Sequence, residues 1–255
     1  MSEGFPYQES FRAHLLLEKS LAGNTIDGYL SDINKLYQFL RMIGLSDSPV
    51  SITLEHLREF LAWLNEMGIS ARSQARIISG VKSYFKFLTI ENLISESPAV
   101  LLEAPRLPRH LPDVLSAEEI DRMIGSIDLS NPLGQRNKAI IEVLYGCGLR
   151  VSELTHLKLS QVFFEEGYIR VVGKGSKERL IPLGHSASRA VQQYIDYSRV
   201  HQPVASAEAD TVFLNNRGHG LTRVMIFTIV KQLAEKAGIE THVSPHTFRH
   251  SFASH

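Results

Sequence analysis

The stretch Ser244-Pro245-His246-Thr247-Phe248-Arg249-His250-Ser251-Phe252-Ala253-Ser254-His255 closes the sequence and reads as the start of a helix. Ser244 is a capping residue, and Pro245 suits a first turn, where its missing amide hydrogen has no partner to lose. His246, Arg249 and His250 then fall at i, i+3 and i+4, so two imidazoles and a guanidinium share one face beside the positive end of the helix dipole. Such a face suits a phosphate. The pattern runs on to His255, about three turns at 3.6 residues per turn, and meets no Gly or Pro. It predicts a sequence cut inside a functional element.

Upstream lies a second functional stretch, Gly146-Cys147-Gly148-Leu149-Arg150-Val151-Ser152-Glu153-Leu154. Two glycines permit a tight turn, and the residues around Ser152 start a new helix with Arg150 at its entrance and Glu153 close by. An arginine held by a carboxylate is pre-aimed, and its fork matches two phosphate oxygens. A purely structural Arg-Glu pair at a helix junction fits the same residues. Next, Tyr168–Val172 and Leu180–Leu183 are β-rich runs around Gly173-Lys174-Gly175-Ser176-Lys177-Glu178-Arg179, which predicts a hairpin with Lys174 near its tip. Either a lysine that reaches into a neighbouring site or an ordinary charged turn satisfies this pattern. It is not a phosphate-cradling P-loop, because the Gly-x-x-x-x-Gly-Lys-Ser/Thr order is missing and a strand, not a helix, follows.

The remainder of this half is mostly helical. Ser116-Ala117-Glu118-Glu119 is a capping box before Ile120, Met123, Ile124 and Ile127, and Asn137–Tyr145 is apolar nearly all round, as in a helix through a domain centre. A helix through Val191 and Ile195 follows, then one through Ile226, Val230, Leu233 and Ala237 that Gly238 ends.

Residues 1–104 read as four helices. Phe11 and Leu15 mark the first. A second follows Asn24, with Ile26, Tyr29, Leu30, Ile33, Leu36, Tyr37 and Leu40 at helical spacing. A third is capped by Thr53, and the fourth starts near Ser70 and carries Ile77, Ile78, Val81, Tyr84, Phe85 and Leu88. Short joints make these a small bundle. Opposite the apolar stripe of the fourth, Arg72, Arg76, Ser79, Ser83 and Lys86 form a basic-and-hydroxyl ridge, fit to enter a DNA major groove or simply to face water. Three prolines in Ala104–Pro112 favour an extended segment, so the expected division is a helical domain over 1–104, a linker over 105–112 and a second domain over 113–255.

Composition sets limits on function. The 27 basic and 27 acidic side chains cancel, with 10 and 12 over residues 1–107 and 17 and 15 over 108–255, so any binding of nucleic acid depends on local clustering. Cys147 is the only cysteine, which excludes an internal disulfide and a cysteine-built zinc site. The absence of a charged-then-apolar leader or a long apolar run predicts a soluble cytoplasmic protein with no membrane partner.

Arg150 in Gly-x-Gly-Leu-Arg-x-Ser-Glu-Leu, Lys174 in Gly-Lys-Gly-x-Lys-Glu-Arg, and His246-x-x-Arg249-His250 after Ser-Pro occur in one order over one domain. Together they resemble a tyrosine site-specific recombinase of the phage integrase family, of the bacterial Xer type, over essentially the whole chain. The resemblance implies a mainly α fold, with a four-helix SAM-like core-binding domain and a mostly helical catalytic domain holding a small antiparallel sheet. It implies a C-shaped clamp on double-stranded DNA, a homo- or hetero-tetramer on paired sites, and transesterification through a 3′-phosphotyrosine without metal or cofactor, as in chromosome-dimer resolution.

By the same resemblance Arg150 and Arg249 bind the non-bridging oxygens. Lys174 protonates the departing 5′ oxygen, and His246 is an acid/base and phosphate ligand. Glu153 supports Arg150, and His250 stands behind the site. In the family the nucleophilic tyrosine lies beyond the His-x-x-Arg-His helix, whereas Tyr145, Tyr168, Tyr194 and Tyr197 all precede it here. The expectation is therefore a truncated product that folds and binds DNA, stays monomeric or weakly associated, and forms no phosphotyrosine bond. A non-catalytic DNA-binding or architectural protein is the alternative. A metal hydrolase built on His246 and His250 lacks the glutamate and third ligand it would need.

Overall fold

A computed structural model describes residues 4–106, 113–131, 133–173 and 177–255. The chain divides into two compact units, Met1–Arg109 and His110–His255, each with its own apolar core. Most of the proline-rich segment expected to join them lies outside the described residues.

The N-terminal unit holds α1 (Gln8–Leu17), α2 (Gly23–Met42), α3 (Leu54–Glu66) and α4 (Ala71–Ile90). The apolar stripes meet as their spacing predicts: Phe11, Ile33, Leu36, Leu57, Phe60, Val81 and Phe85 are fully buried. Two phenols share this core. The Tyr37 and Tyr84 hydroxyls lie 3.2 Å apart, and that of Tyr84 donates to the Pro6 carbonyl at 2.8 Å. Thr53 caps α3, where its hydroxyl accepts from His56 N–H at 3.4 Å and the His56 ring returns the bond, and Ser70 caps α4. Asn24 does not cap α2: that helix begins one residue earlier, and no side chain bonds its first turn.

The second unit holds α5 (Ala117–Gly125), α6 (Gly134–Gly146), α7 (Val151–Thr155), α8 (His185–Tyr197), α9 (Arg223–Lys236) and α10 (Pro245–Ser254). Between α7 and α8 lies a three-stranded antiparallel sheet in the order β1 (Val162–Phe163), β2 (Tyr168–Val172), β3 (Glu178–Pro182). The Ser116–Glu119 capping box forms as expected. Helix α6 runs through the core, with Ala139, Ile140, Ile141, Val143 and Leu144 all fully buried, and packs against α8, α7 and α10. Strand β1 was not foreseen. It is two residues long, pairing Val162 with Ile169 and Phe163 with Tyr168, too short for any alternation to show.

The site-bearing segments sit on this frame. The β2–β3 register sets Ile169 opposite Ile181 and Val171 opposite Arg179. Side chains two apart share a face, so Arg179 lies on the same side as buried Ile169, Val171 and Ile181. Helix α10 is anchored by fully buried Phe248 and Ser251, whose hydroxyl accepts the Leu115 N–H at 2.8 Å and donates to the Thr247 carbonyl at 2.9 Å.

Candidate active site

Arg150 is the N-cap residue of α7 and follows the turn at Gly148, where φ is +54°. Glu153 sits three residues on, and one of its oxygens accepts the Arg150 backbone N–H at 2.8 Å while the other accepts from the Arg150 guanidinium at 3.0 Å. The expected pair is thus also a capping arrangement, which fixes both ends of the arginine at the helix entrance. The carboxylate side chain is only 6% exposed and serves a second cation: Arg179 Nη2 donates to it at 2.8 Å.

Arg249 comes to the same place from α10. Its Nη1 donates to the Gly148 carbonyl at 2.6 Å, two residues before Arg150. Burial holds the Arg249 pKa below the ordinary arginine value, the nearby positive charges of Arg150 and Arg179 add to this, and Glu153 opposes it. A guanidinium remains protonated in proteins. The Arg150 and Arg179 guanidinium groups thus bond one carboxylate and that of Arg249 lies near enough to feel all three charges, leaving two positive charges uncompensated within the cluster. That arrangement favours a dianion or a phosphodiester in a transition state with charge on its equatorial oxygens.

His246 projects one turn before Arg249 on α10, and both His246 and His250 are exposed. Helix α10 starts where the sequence places it. The Ser244 hydroxyl accepts the Thr247 N–H at 3.3 Å, and Pro245 occupies the first turn. Lys174 lies outside the described residues. On either side of it Gly173 N–H donates to the Lys177 carbonyl at 2.8 Å, and Val172 pairs with Glu178.

Arg179 is the member of the cluster that sequence reasoning passed over. Its signal is strand parity: Ile181 and Leu183 are core residues, and the same alternation carries back to Arg179. A charge on the inward face of a strand calls for an inward carboxylate, and Glu153 is that group.

The α4 ridge is less uniform than its spacing implies. Arg72, Arg76, Ser79 and Lys86 are exposed and Ser83 half-buried. Arg76 is in a bidentate ion pair with buried Asp32 of α2. The Ser79 hydroxyl donates to the Ala75 carbonyl at 3.1 Å. Lys86 turns toward a separate cleft of about 800 Å³, which Lys82, Leu54 and residues 95–101 also line.

Residues 113–255 match the family described as "Phage integrase family", and residues 9–92 match "Phage integrase, N-terminal SAM-like domain". The chain belongs to the phage integrase family. Among curated members, it is 37% identical over 247 residues to tyrosine recombinase XerD of Listeria innocua serovar 6a, covering 97% of this chain and 83% of the relative. To tyrosine recombinase XerD of Chlorobaculum tepidum it is 40% identical over 250 residues, covering 97% and 81%. The crystal structure of XerA recombinase is similar at 30% identity and a TM-score of 0.51, over 97% of this chain and 82% of that one. A XerH site-specific recombinase bound to a palindromic difH substrate in a post-cleavage complex shares the fold, with a TM-score of 0.73 at 21% identity over 97% and 72%. Within the phage integrase family this chain is thus a Xer-type tyrosine recombinase, similar to XerD, of the class that carries out site-specific recombination. No described helix is long and apolar enough to cross a membrane.

Proposed function

We propose that this chain binds duplex DNA and that its second unit supplies the phosphate-activating groups for strand cleavage and rejoining through a 3′-phosphotyrosine. Arg150 and Arg249 hold the two non-bridging oxygens of the scissile phosphate. As an attacking tyrosine oxygen bonds to phosphorus, the bond to the 5′ oxygen breaks and Lys174 gives that oxygen its proton. His246 serves as an acid/base and as a further phosphate ligand. Glu153 holds Arg150, and His250 stands behind His246 and Arg249. The working assembly in this reading is a tetramer of one recombinase or two related ones on paired sites, and the cellular task is resolution of chromosome dimers.

One observation carries the reading. Arg150 and Arg249, 99 positions apart in the sequence, converge on the same turn at Gly148 around a single buried carboxylate. A structural ion pair needs one cation per carboxylate, whereas Glu153 pairs with two and a third, Arg249, stands nearby on the Gly148 carbonyl.

We further propose that the polypeptide of these 255 residues makes no covalent bond to DNA. Of the tyrosines in the second unit, Tyr194 is fully buried with its hydroxyl accepting the Leu214 N–H at 3.2 Å. Tyr145 is 2.9 Å from the His255 ring, and Tyr168 stacks on Phe163 at 4.6 Å. Tyr197 is 74% exposed on the last turn of α8. Tyr145 lies beside α10, but there its hydroxyl is hydrogen-bonded to the His255 ring.

Incubation with a nicked duplex that traps covalent intermediates is expected to give retarded complexes on native gels but no adduct after denaturation. An adduct would overturn the second proposal. With a plain duplex, affinity should fall by orders of magnitude between about 50 and about 200 mM salt if roughly six to ten phosphates are neutralised. A flat response would sink the first.

A further inference from the structure

Helices α2 and α4 meet where each carries a glycine. A methyl group on Gly80 would lie 3.3 Å from Asp32 Oδ2, and one on Gly28 would lie 3.5 Å from Arg76 Nη1. The two small residues therefore let the backbones approach closely enough for Asp32 and Arg76 to meet across the joint. Asp32 is completely buried, and its two oxygens take one N–H each from Nη1 and Nη2 of Arg76, the latter at 2.8 Å.

A buried ion pair of this kind is a poor device for cohesion alone, because desolvation offsets much of its attraction and two apolar residues of similar volume would serve as well. The cost is visible at Asp32, whose carboxyl burial pushes above the ordinary value against the pull of Arg76 and, more weakly, Lys35. What the pair achieves is direction. Of the five guanidinium N–H groups two are spent on the carboxylate, yet 51% of the Arg76 side chain stays exposed. It lies on the ridge between Arg72 and Ser79. Because Asp32 neutralises it, Arg76 adds little to counterion release on DNA. A fixed, charge-matched pair of donors is suited instead to a pair of acceptors whose position matters, and the O6 and N7 atoms of guanine in the major groove are such a pair.

We propose that Arg76 is a specificity-determining residue that reads one guanine, and that Asp32 is the positioning residue that aims it. This rests on the reading of the chain as a duplex-binding protein. The test is selection from a pool of duplexes with randomised sequence, made in parallel with the unaltered chain, Arg76→Lys, Asp32→Asn and the double variant Asp32→Leu/Arg76→Met, each checked for folding by circular dichroism. The unaltered chain should enrich a guanine at one fixed position by roughly 5- to 150-fold over other bases there. Arg76→Lys keeps a charge but has no fork, and should lose that preference while still binding. Asp32→Asn should weaken it. The double variant replaces the pair with apolar volume and so stays folded while losing it, even if Asp32→Asn unfolds.

If every folded variant enriches the same base at that position, the pair is structural and the proposal falls. Loss in Arg76→Lys with full retention in a folded Asp32→Asn would remove the positioning role of Asp32. If the unaltered chain retains no duplex in a salt-dependent manner, the duplex-binding reading itself fails, an outcome distinct from binding with no guanine preference, which overturns only the present inference.

Discussion

Glu153 receives an arginine from the helix it helps to cap and another from β3, so a single carboxylate ties a helix entrance to a strand. Its side chain is nearly buried while Arg150 is half exposed, which makes the two ends unequal in energy. Replacing Glu153 by Gln should destabilise the second unit by about 1–3 kcal/mol, because charge-assisted bonds to buried oxygens are lost and three guanidinium groups are left to repel one another. Arg150→Ala should cost less than about 1 kcal/mol, since an exposed partner is screened by water. Urea denaturation of both variants checks the order. Gly148 is the other sensitive position. A Cβ there would lie 2.5 Å from the ring of Phe252, so that ring must shift, and the cost of a left-handed backbone, about 1–2 kcal/mol, comes on top. A lowered melting temperature for Gly148→Ala is expected. The Arg150–Glu153 pair was legible from spacing, because only three positions separate its members, whereas Arg249 was picked out by its His-x-x-Arg-His motif and its bond to the distant Gly148 carbonyl was not. Asp32 and Arg179 were not, as each is explained only by a partner many positions away: Asp32 stands on the apolar face of α2 near Tyr29 and Leu36, where a lone carboxylate demands a cation that the sequence does not point to.

At the level of elements, local rules succeeded wherever a side chain closes its own helix. Thr53, Ser70, Ser116 and Ser244 all cap as their sequences indicate, because the bond spans three residues. Asn24 failed as a cap because the preceding residues already turn the chain, with Ala22 extended and accepting the first backbone bonds. Strand β1 escaped notice since it exists only through its pairing with β2. Helix α10 depends on a long-range contact of the same sort: the hydroxyl of Ser251 is the partner of the buried Leu115 N–H. Ser251→Ala should leave that donor unsatisfied and lower stability by about 1–3 kcal/mol, whereas Ser251→Cys fills the volume with a poorer acceptor and should fall between. Chemical denaturation of the two variants tests this.

On the scale of the whole molecule, the division into two cores, the helical class and the small sheet all follow from apolar periodicity, which is strong in long helices. Both cores bury weak acids. Burial pushes the Cys147 thiol in the second unit and the Tyr37 phenol in the first up to about 12, and it raises Tyr84 further. The corresponding groups in the unfolded chain titrate near 9 and 10. Between those values and 12 the unfolded chain holds fewer protons than the folded one, so stability is fully present below about pH 9 and falls as pH rises toward 12. Melting temperatures should hold to about pH 9 and fall progressively above it, and Cys147→Ala should remove only the thiol's share. The two cores also differ in how they can be watched. Trp63, the sole indole of the chain, sits in the first unit against Phe39 and Phe60, and the sole thiol is sealed in the second. Emission and sulfhydryl labelling followed in one sample therefore report on separate halves without any added dye or tag. Each half has its own native clock.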